Sequence, residues 1–364
     1  MVASTTRQTK PLYLGICVVL LVVGCGTTPM PNPLPSSNPV PETIENTLLS
    51  SSPTAPAGYT FSGLTASPQT GNAWRNRTSM TFARSYAGAT EIGGKIYVAG
   101  GFNGLTMQPI LNRLEVYDPA TDQWNTLANM PIARWDCDAA ATNGRFYVIG
   151  GRIAGGVPTK TVEEYDPATN MWTTKTSLIA ARAASSAVTV DNKIYVIGGD
   201  ASTTIEMYDP VANSWVTKIS IAPQLSPAQH ESAAVNGRIY SVGGFYNGGT
   251  SFAVSEYDPV LNIFTIKNPI SAAKYGISVA ALGGFVYAMG GANGPPIYYN
   301  RLEAIDVAYD IASFRPGATI TRAGANLVAA GGKLYAIGGV NETGDLNVNE
   351  EYTPAPVLYV HKKN

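Results

Sequence analysis

Short apolar runs at a fixed spacing dominate the chain. Ile96-Tyr97-Val98-Ala99, Phe146-Tyr147-Val148-Ile149 and Ile194-Tyr195-Val196-Ile197 are three of them, and a Gly-Gly pair follows each at once. The pair recurs six times, at Gly100-Gly101, Gly150-Gly151, Gly198-Gly199, Gly243-Gly244, Gly290-Gly291 and Gly338-Gly339, in steps of 50, 48, 45, 47 and 48 residues. The runs are β-branched and aromatic, too short for helices and bounded by turn residues, so they read as strands. They do not alternate cleanly, which suits strands covered on both faces.

Just ahead of each run sits a dipeptide that tolerates positive φ: Gly93-Gly94, Asn143-Gly144, Asp191-Asn192, Asn236-Gly237, Gly283-Gly284 and Gly331-Gly332. A two-residue hairpin demands such residues, so each unit opens with a hairpin of strands a and b. Strand b ends in Gly-Gly, where a missing Cβ allows close approach by backbone or an aromatic ring. Next come Tyr117-Asp118-Pro119, Tyr165-Asp166-Pro167, Tyr208-Asp209-Pro210 and Tyr257-Asp258-Pro259. Asp caps its own turn and Pro pre-sets φ, so these end strand c. Seven residues after each Tyr a large aromatic, Trp124, Trp172, Trp215 or Phe264, begins strand d. Burying one is worth about 2–3 kcal/mol. Packing over the diglycine is the expected use of that ring.

Diglycine, spaced Tyr and Trp, repeated through about Trp74–Tyr352, resemble the kelch repeat. The resemblance implies an all-β, six-bladed β-propeller with one four-stranded antiparallel blade per repeat. Departures occur in unit five, where Ile305-Asp306-Val307 replaces Tyr-Asp-Pro and Ala312 takes the Trp position. Unit six has Tyr352-Thr353-Pro354 and then Tyr359. Blades five and six should therefore pack differently. Trp74 to Arg84 matches Trp124 to Arg134 in spacing, so it reads as a free strand d that completes blade six; Leu358–His361 competes for the place. Either closure removes an open edge.

Residues 1–25 read as an export signal: Arg7 and Lys10 precede the apolar stretch Leu12–Val23, which is shorter than a membrane span. Leu21-Val22-Val23-Gly24-Cys25 resembles the lipobox of bacterial lipoproteins, which implies lipidation of Cys25 and a cell-envelope location. Residues 26–70, rich in Pro and Ser, should form an extended tether, and 71–364 the propeller. Cys137 then has no disulfide partner and reads as a small buried residue. The net charge of −1 shows no basic excess for nucleic acid, and a monomer is expected.

Strand connectivity puts the d–a and b–c loops on one face, where ligands of kelch-type propellers bind. Sixteen residues before the diglycines lie Arg84, Arg134, Arg182, Pro227, Lys274 and Arg322. They form either a ring of cations at the channel mouth or ion pairs with Glu115, Glu163, Glu206, Ser255, Glu303 and Glu350; unit four lacks both partners, which favours pairs. Residues that break the repeat are better ligand candidates. Tyr86, Trp135, Asp136, His230, Glu231 and Tyr275 lie near the d–a loops. Phe102, Arg152, Asp200, Phe245, Tyr246, Tyr298 and Tyr299 follow the diglycines. Aromatics beside carboxylates and an Arg suit a glycan or a protein partner.

With only His230 and His361, the chain lacks the ligands of the copper radical oxidases that share kelch-like blades, and no spacing suits zinc. No cofactor and no metal are expected. The leading reading is a lipid-anchored binding module for a protein or carbohydrate, not an enzyme. The alternative is a sugar mutarotase or epimerase using an Arg and carboxylate pocket on the same loop face, with Glu231 as base; adjacent His230 would point to the opposite face.

Overall fold

The computed structural model describes residues 59–62, 71–104, 109–200, 202–220, 228–246, 248–294, 296–355 and 359–362. The expected leader, Cys25 and most of the expected tether lie outside them. The chain divides into two units. In the smaller, β1 (Tyr59–Ser62) pairs antiparallel with the last strand, Tyr359–Lys362.

The larger unit begins with β2 (Ala73–Arg77). Blade 1 is β3 (Gly88–Ile92), β4 (Lys95–Ala99), β5 (Leu114–Asp118) and β6 (Gln123–Thr126). Blade 2 is β7 (Asp138–Thr142), β8 (Arg145–Ile149), β9 (Val162–Asp166) and β10 (Met171–Thr174). Blade 3 is β11 (Ser186–Val190), β12 (Lys193–Ile197), β13 (Thr204–Asp209) and β14 (Ser214–Ser220). Blade 4 is β15 (Glu231–Val235), β16 (Arg238–Val242), then a small hairpin β17 (Phe245–Tyr246) and β18 (Gly249–Thr250), then β19 (Val254–Asp258) and β20 (Ile263–Lys267). Blade 5 is β21 (Tyr275–Leu282), β22 (Phe285–Ala292), β23 (Leu302–Asp306) and β24 (Ile311–Arg315). Blade 6 is β25 (Asn326–Ala330), β26 (Lys333–Ile337), a hairpin β27 (Val340–Asn341) and β28 (Gly344–Asp345), then β29 (Asn349–Thr353), with β2 as its outer strand.

The six sheets stand around an axis. The innermost strands β3, β7, β11, β15, β21 and β25 pack in succession, and β25 packs on β3 to close the circle. The N-terminal Trp74 strand closes blade six, while Tyr359–His361 pairs with β1 instead. The a–b hairpins turn as the sequence requires: Asn143 and Gly144, for example, have φ of 52° and 70°.

The core is six wedges between blades. In one, Tyr97, Ala99 and Leu114 of blade 1 meet Ala139, Phe146, Val148 and Tyr165 of blade 2. Each strand-b Tyr reaches the strand-c Tyr of the next blade, as Tyr97–Tyr165 (6.3 Å) and Tyr147–Tyr208 (5.9 Å) do. At blade 5 the ladder breaks, and Tyr240 packs in a cluster with Ile305.

The diglycine receives backbone, not the expected Trp ring. A Cβ on Gly150 would lie 2.6 Å from the carbonyl oxygen of Arg182 in the next blade's leading loop. That same oxygen accepts a hydrogen bond from Gly151 N–H at 2.9 Å. The pattern repeats at Gly101–Arg134, Gly244–Lys274, Gly291–Arg322 and Gly339–Arg84. The basic side chain then turns into its own blade. Arg134 Nη2 meets Glu163 at 2.6 Å and donates to the Val148 carbonyl at 3.2 Å. Arg84–Glu115, Arg182–Glu206, Lys274–Glu303 and Arg322–Glu350 pair likewise, all buried. In blade 4 the Glu is replaced by buried Ser255, and Pro227 lies outside the described residues.

The Trp has a polar task further out. Trp172 donates its indole N–H to Ala128 O at 2.8 Å, beyond the end of blade 1. Asn170 Oδ1 accepts Ala128 N–H at 2.9 Å and the Tyr165 hydroxyl at 2.7 Å. Trp124 with Asp122 grips Thr78, and Trp215 with Asn213 grips Thr176, in the same way. Blade 6 keeps this clasp, since Trp74 donates to Pro316 O at 2.7 Å, so only blade 5 departs at the Trp position without a ring. There Asn268 N–H and its side-chain amide meet Asp310 instead.

Burial pushes the Arg134 guanidinium down and the Glu163 carboxyl up, each opposed by its partner's charge. Removing one partner strands a buried charge. Arg134→Ala or Glu163→Ala should each cost about 3–5 kcal/mol in denaturant unfolding, and Arg134→Met with Glu163→Leu together much less than the sum. Additive losses would show that the two side chains act independently.

Candidate functional site

The loop face is built by pairing each d–a loop with the following b–c loop, through bridges such as Ser85–Phe102, Trp135–Arg152 and Ala228–Phe245. Two residues beyond each basic position, or its equivalent in blade 4, the backbone enters the left-handed region: Tyr86, Asp136, Ala184, Gln229, Gly276 and Gly324 have φ between 48° and 58°. Each donates its N–H to the carbonyl of the preceding one, Asp136 to Tyr86, Ala184 to Asp136, Gln229 to Ala184, Gly276 to Gln229 and Gly324 to Gly276, at 2.8–3.0 Å. Tyr86 N–H donates to Gly324 O at 2.8 Å, and the circle is closed. For the four residues with a Cβ the conformation costs of order 1 kcal/mol or more each, offset by the hydrogen bond it permits. Side-chain types at these six positions share nothing, so only their common register could have marked them.

Tyr86 lies across this ring. A Cβ on Gly324 would sit 2.7 Å from the Tyr86 ring, and one on Gly276 3.4 Å from its hydroxyl. The two glycines therefore make room for the side chain. Tyr86 stacks on Phe102 (5.7 Å between centroids), and Trp135 meets both edge-on at 6.4 and 5.3 Å.

Beside this trio opens a cleft of about 240 Å³, lined by Tyr86, Phe102, Trp135, Asp136, Arg152, Gly156 and Gln229. Arg152 spans it. Its Nε lies 3.3 Å from Asp136 Oδ2, its Nη1 donates to Gly156 O at 3.0 Å, and its Nη2 pairs with Asp200. The guanidinium is 5.5 Å from the Trp135 ring centre. Tyr86, Trp135, Asp136 and Arg152, singled out from the sequence, thus converge with Phe102 and Asp200. Gln229 is an addition that no sequence signal marked.

The other candidates separate. Arg134 and Arg182 are fully buried in their blades and leave no surface for a ligand, which corrects the reading of a cation ring. His230 is buried just ahead of β15, whereas its neighbour Glu231, the first residue of that strand, lines the central channel. Phe245 meets Tyr275 edge-on at 5.8 Å across blades 4 and 5. The backbone of Tyr246 pairs with Gly249, and its side chain lies outside the description. Cys137 is buried against Gly151, and burial pushes its thiol up to about 11.

The channel, about 300 Å³, carries the carboxyls of Glu91, Asp138 and Glu231, with no Lys, Arg or His among its lining residues. Asp138 accepts the N–H groups of Ala139, at 2.7 Å, and Ala187. Burial raises its affinity for a proton, and burial together with the charge of Asp138 raises that of Glu231.

Asp136 is pushed up to about 7 by burial, against the nearby Arg152 charge and with Asp200 adding to the rise. An unfolded Asp titrates near 3.9, so between the two values the folded chain holds a proton that the unfolded chain has lost. This group's share of stability is full below about pH 4 and is lost as pH rises through about 7. Asp136→Asn should flatten that part of the pH dependence of the melting temperature. An unchanged slope from pH 4.5 to 8 would contradict the assignment.

The Kelch motif profile matches residues 83–131, 134–179 and 181–217. Over 81 residues the chain is 38% identical to an F-box/kelch-repeat protein of Arabidopsis thaliana, covering 22% of this chain and 21% of that one. It is 42% identical over 72 residues to the influenza virus NS1A-binding protein homolog of Mus musculus, covering 20% and 11%. Alpha-scruin of Limulus polyphemus is 40% identical over 80 residues, covering 21% and 8%. The matches thus span about a fifth or less of these relatives' own length. The solved structure of YjhT superposes with a TM-score of 0.66 at 16% identity, over 78% of this chain and 99% of that one. The three matched repeats fall on blades 1 to 3: the chain carries kelch repeats on a six-bladed β-propeller.

Proposed function

We propose that this protein is a binding module that holds a protein ligand on its loop face, with the cleft of Trp135, Asp136 and Arg152 taking the ligand's anchoring group. The observation that carries this reading is the cleft itself. It gathers the aromatic and charged residues that break the repeat, while the symmetric ones are consumed inside the blades. A ring face beside a partly exposed ion pair offers apolar area and hydrogen bonds together, the usual make-up of a binding hot spot. One relative with binding in its name, the influenza virus NS1A-binding protein homolog, supports the same reading. A carbohydrate is the second reading: one sugar ring fits about 240 Å³, and paired Arg and Asp groups suit hydroxyls that donate and accept. The sugar-processing alternative would draw on Glu231 as its base, which stands near Asp138. Those carboxyls lie in the channel, whereas the aromatic cleft lies beside the ring crossed by Tyr86.

We further propose attachment to a cell envelope through a lipid on Cys25, on the strength of the Leu21–Cys25 motif.

Affinity enrichment from the source envelope, with a glycan array beside it, tests the first proposal. Trp135→Ala and Arg152→Glu should each cut retention of the bound protein at least tenfold, while Val216→Ala on the outer edge of blade 3 leaves it unchanged. Equal retention by all three would remove the cleft from recognition, and a glycan signal lost with Trp135 would favour the second reading. For the anchor, Cys25→Ala should move the chain from the membrane fraction to the soluble one and abolish incorporation of labelled fatty acid. Continued labelling would refute it.

A further inference from the structure

The outer rim is most apolar at blades 4 and 5. Two residues after the Trp position, strand d presents an exposed side chain in every blade: Asn76, Thr126, Thr174, Thr217, Ile266 and Phe314. Four are polar; those of blades 4 and 5 are large and apolar, with Ile266 70% and Phe314 56% exposed. One residue before the Trp position the same two blades carry exposed Ile263 and Ile311. Both β20 and β24 are sheet edges, with one row of backbone groups unpaired. An apolar edge strand is a template for another strand; at the first of these positions the remaining edges carry polar side chains, and blades 2 and 3 expose one large apolar residue each, Met171 and Val216.

Blade 5 also has a gap. Elsewhere the strand-d aromatic covers the strand-c Tyr opposite it, as Trp124 covers Tyr117 at 5.0 Å. In β24 the residue is Ala312, opposite Ile305, and no ring stands there. Ala312 and Phe314 are two apart and share one face of the strand. An antiparallel pair of β24 strands related by a two-fold axis at Ser313 sets Phe314 of each copy directly opposite Ala312 of the other. Directly opposed side chains lie within contact range. Each ring would then fill the place that the repeat's Trp leaves open.

We propose that this edge is a dimer interface, at which β24 pairs with β24 of a second copy and exchanges Phe314 into the Ala312 gap. The contact is isologous, so it closes at two subunits. Ile311 flanks the strand pair, and blade 4 extends the apolar rim with Ile263 and Ile266. Arg301, whose guanidinium lies 5.8 Å from the Phe314 ring, would border the exchanged ring. The self-complementary register commits the surface to a second copy of this chain.

A cysteine at the axis reads the pairing directly, because strand partners there have Cα atoms about 4.5–5.5 Å apart, within disulfide range. In the full chain, Ser313→Cys should give a cross-linked dimer under mild oxidation. Val216→Cys, its equivalent on blade 3, should stay at the level of the parent chain. Adding Phe314→Lys, or Ala312→Trp to restore the repeat's own ring, should return Ser313→Cys to that level with the melting temperature held. Sedimentation of the parent should show a dimer that Phe314→Lys weakens by about a hundredfold. Equal cross-linking at Ser313 and Val216, or cross-linking indifferent to both Phe314→Lys and Ala312→Trp, overturns the proposal.

Discussion

Among the described residues, five of the six blade joints turn on one carbonyl oxygen. The backbone oxygen of a basic residue lies where the first glycine of the previous blade has no Cβ, and the second glycine donates to it. The side chain of that same basic residue runs the other way, into its own blade, to a buried Glu and the end of strand b. One residue therefore addresses two sheets. Because the ion pair is desolvated, its Coulomb gain is largely offset, and its value lies in the register it imposes. That is a reason for a charged pair where an apolar one would pack as well.

From that joint the loop face follows. With five of the leading loops pinned two residues before it, the left-handed residue that comes next is presented to its neighbour at hydrogen-bonding distance, and the sixth joins the same circle. The ring so formed is a rigid frame made of backbone alone. Side chains mounted on it are free to differ, and they do: glycine in blades 5 and 6, and Tyr86, Asp136, Ala184 and Gln229 in blades 1 to 4. The asymmetry of the cleft is built on a symmetric support, which is how a repeat protein separates stability from recognition.

Much of this was legible in the residues. The six diglycines, the hairpin dipeptides and the Tyr-Asp-Pro turns mark each blade because they answer to local backbone demands, and local demands leave residue-type signatures. The Arg–Glu pairs were readable as well, since unit four loses Arg and Glu together. Tyr86, Trp135, Asp136 and Arg152 stood out as breaks in the pattern, and they do meet.

What the residues alone decided is the number of sheets, their strand order and the turns between strands, because φ limits and hairpin chemistry act within a few positions. What only the tertiary structure decided is where the large groups go. The Trp, expected over the glycines, instead reaches back to the preceding blade, and a carbonyl fills the glycine gap. Gln229 and Gly324 gain their places from a ring of backbone hydrogen bonds to which every residue type is equally suited. Such bonds carry no side-chain signature, so they emerge only when six loops are brought around one axis.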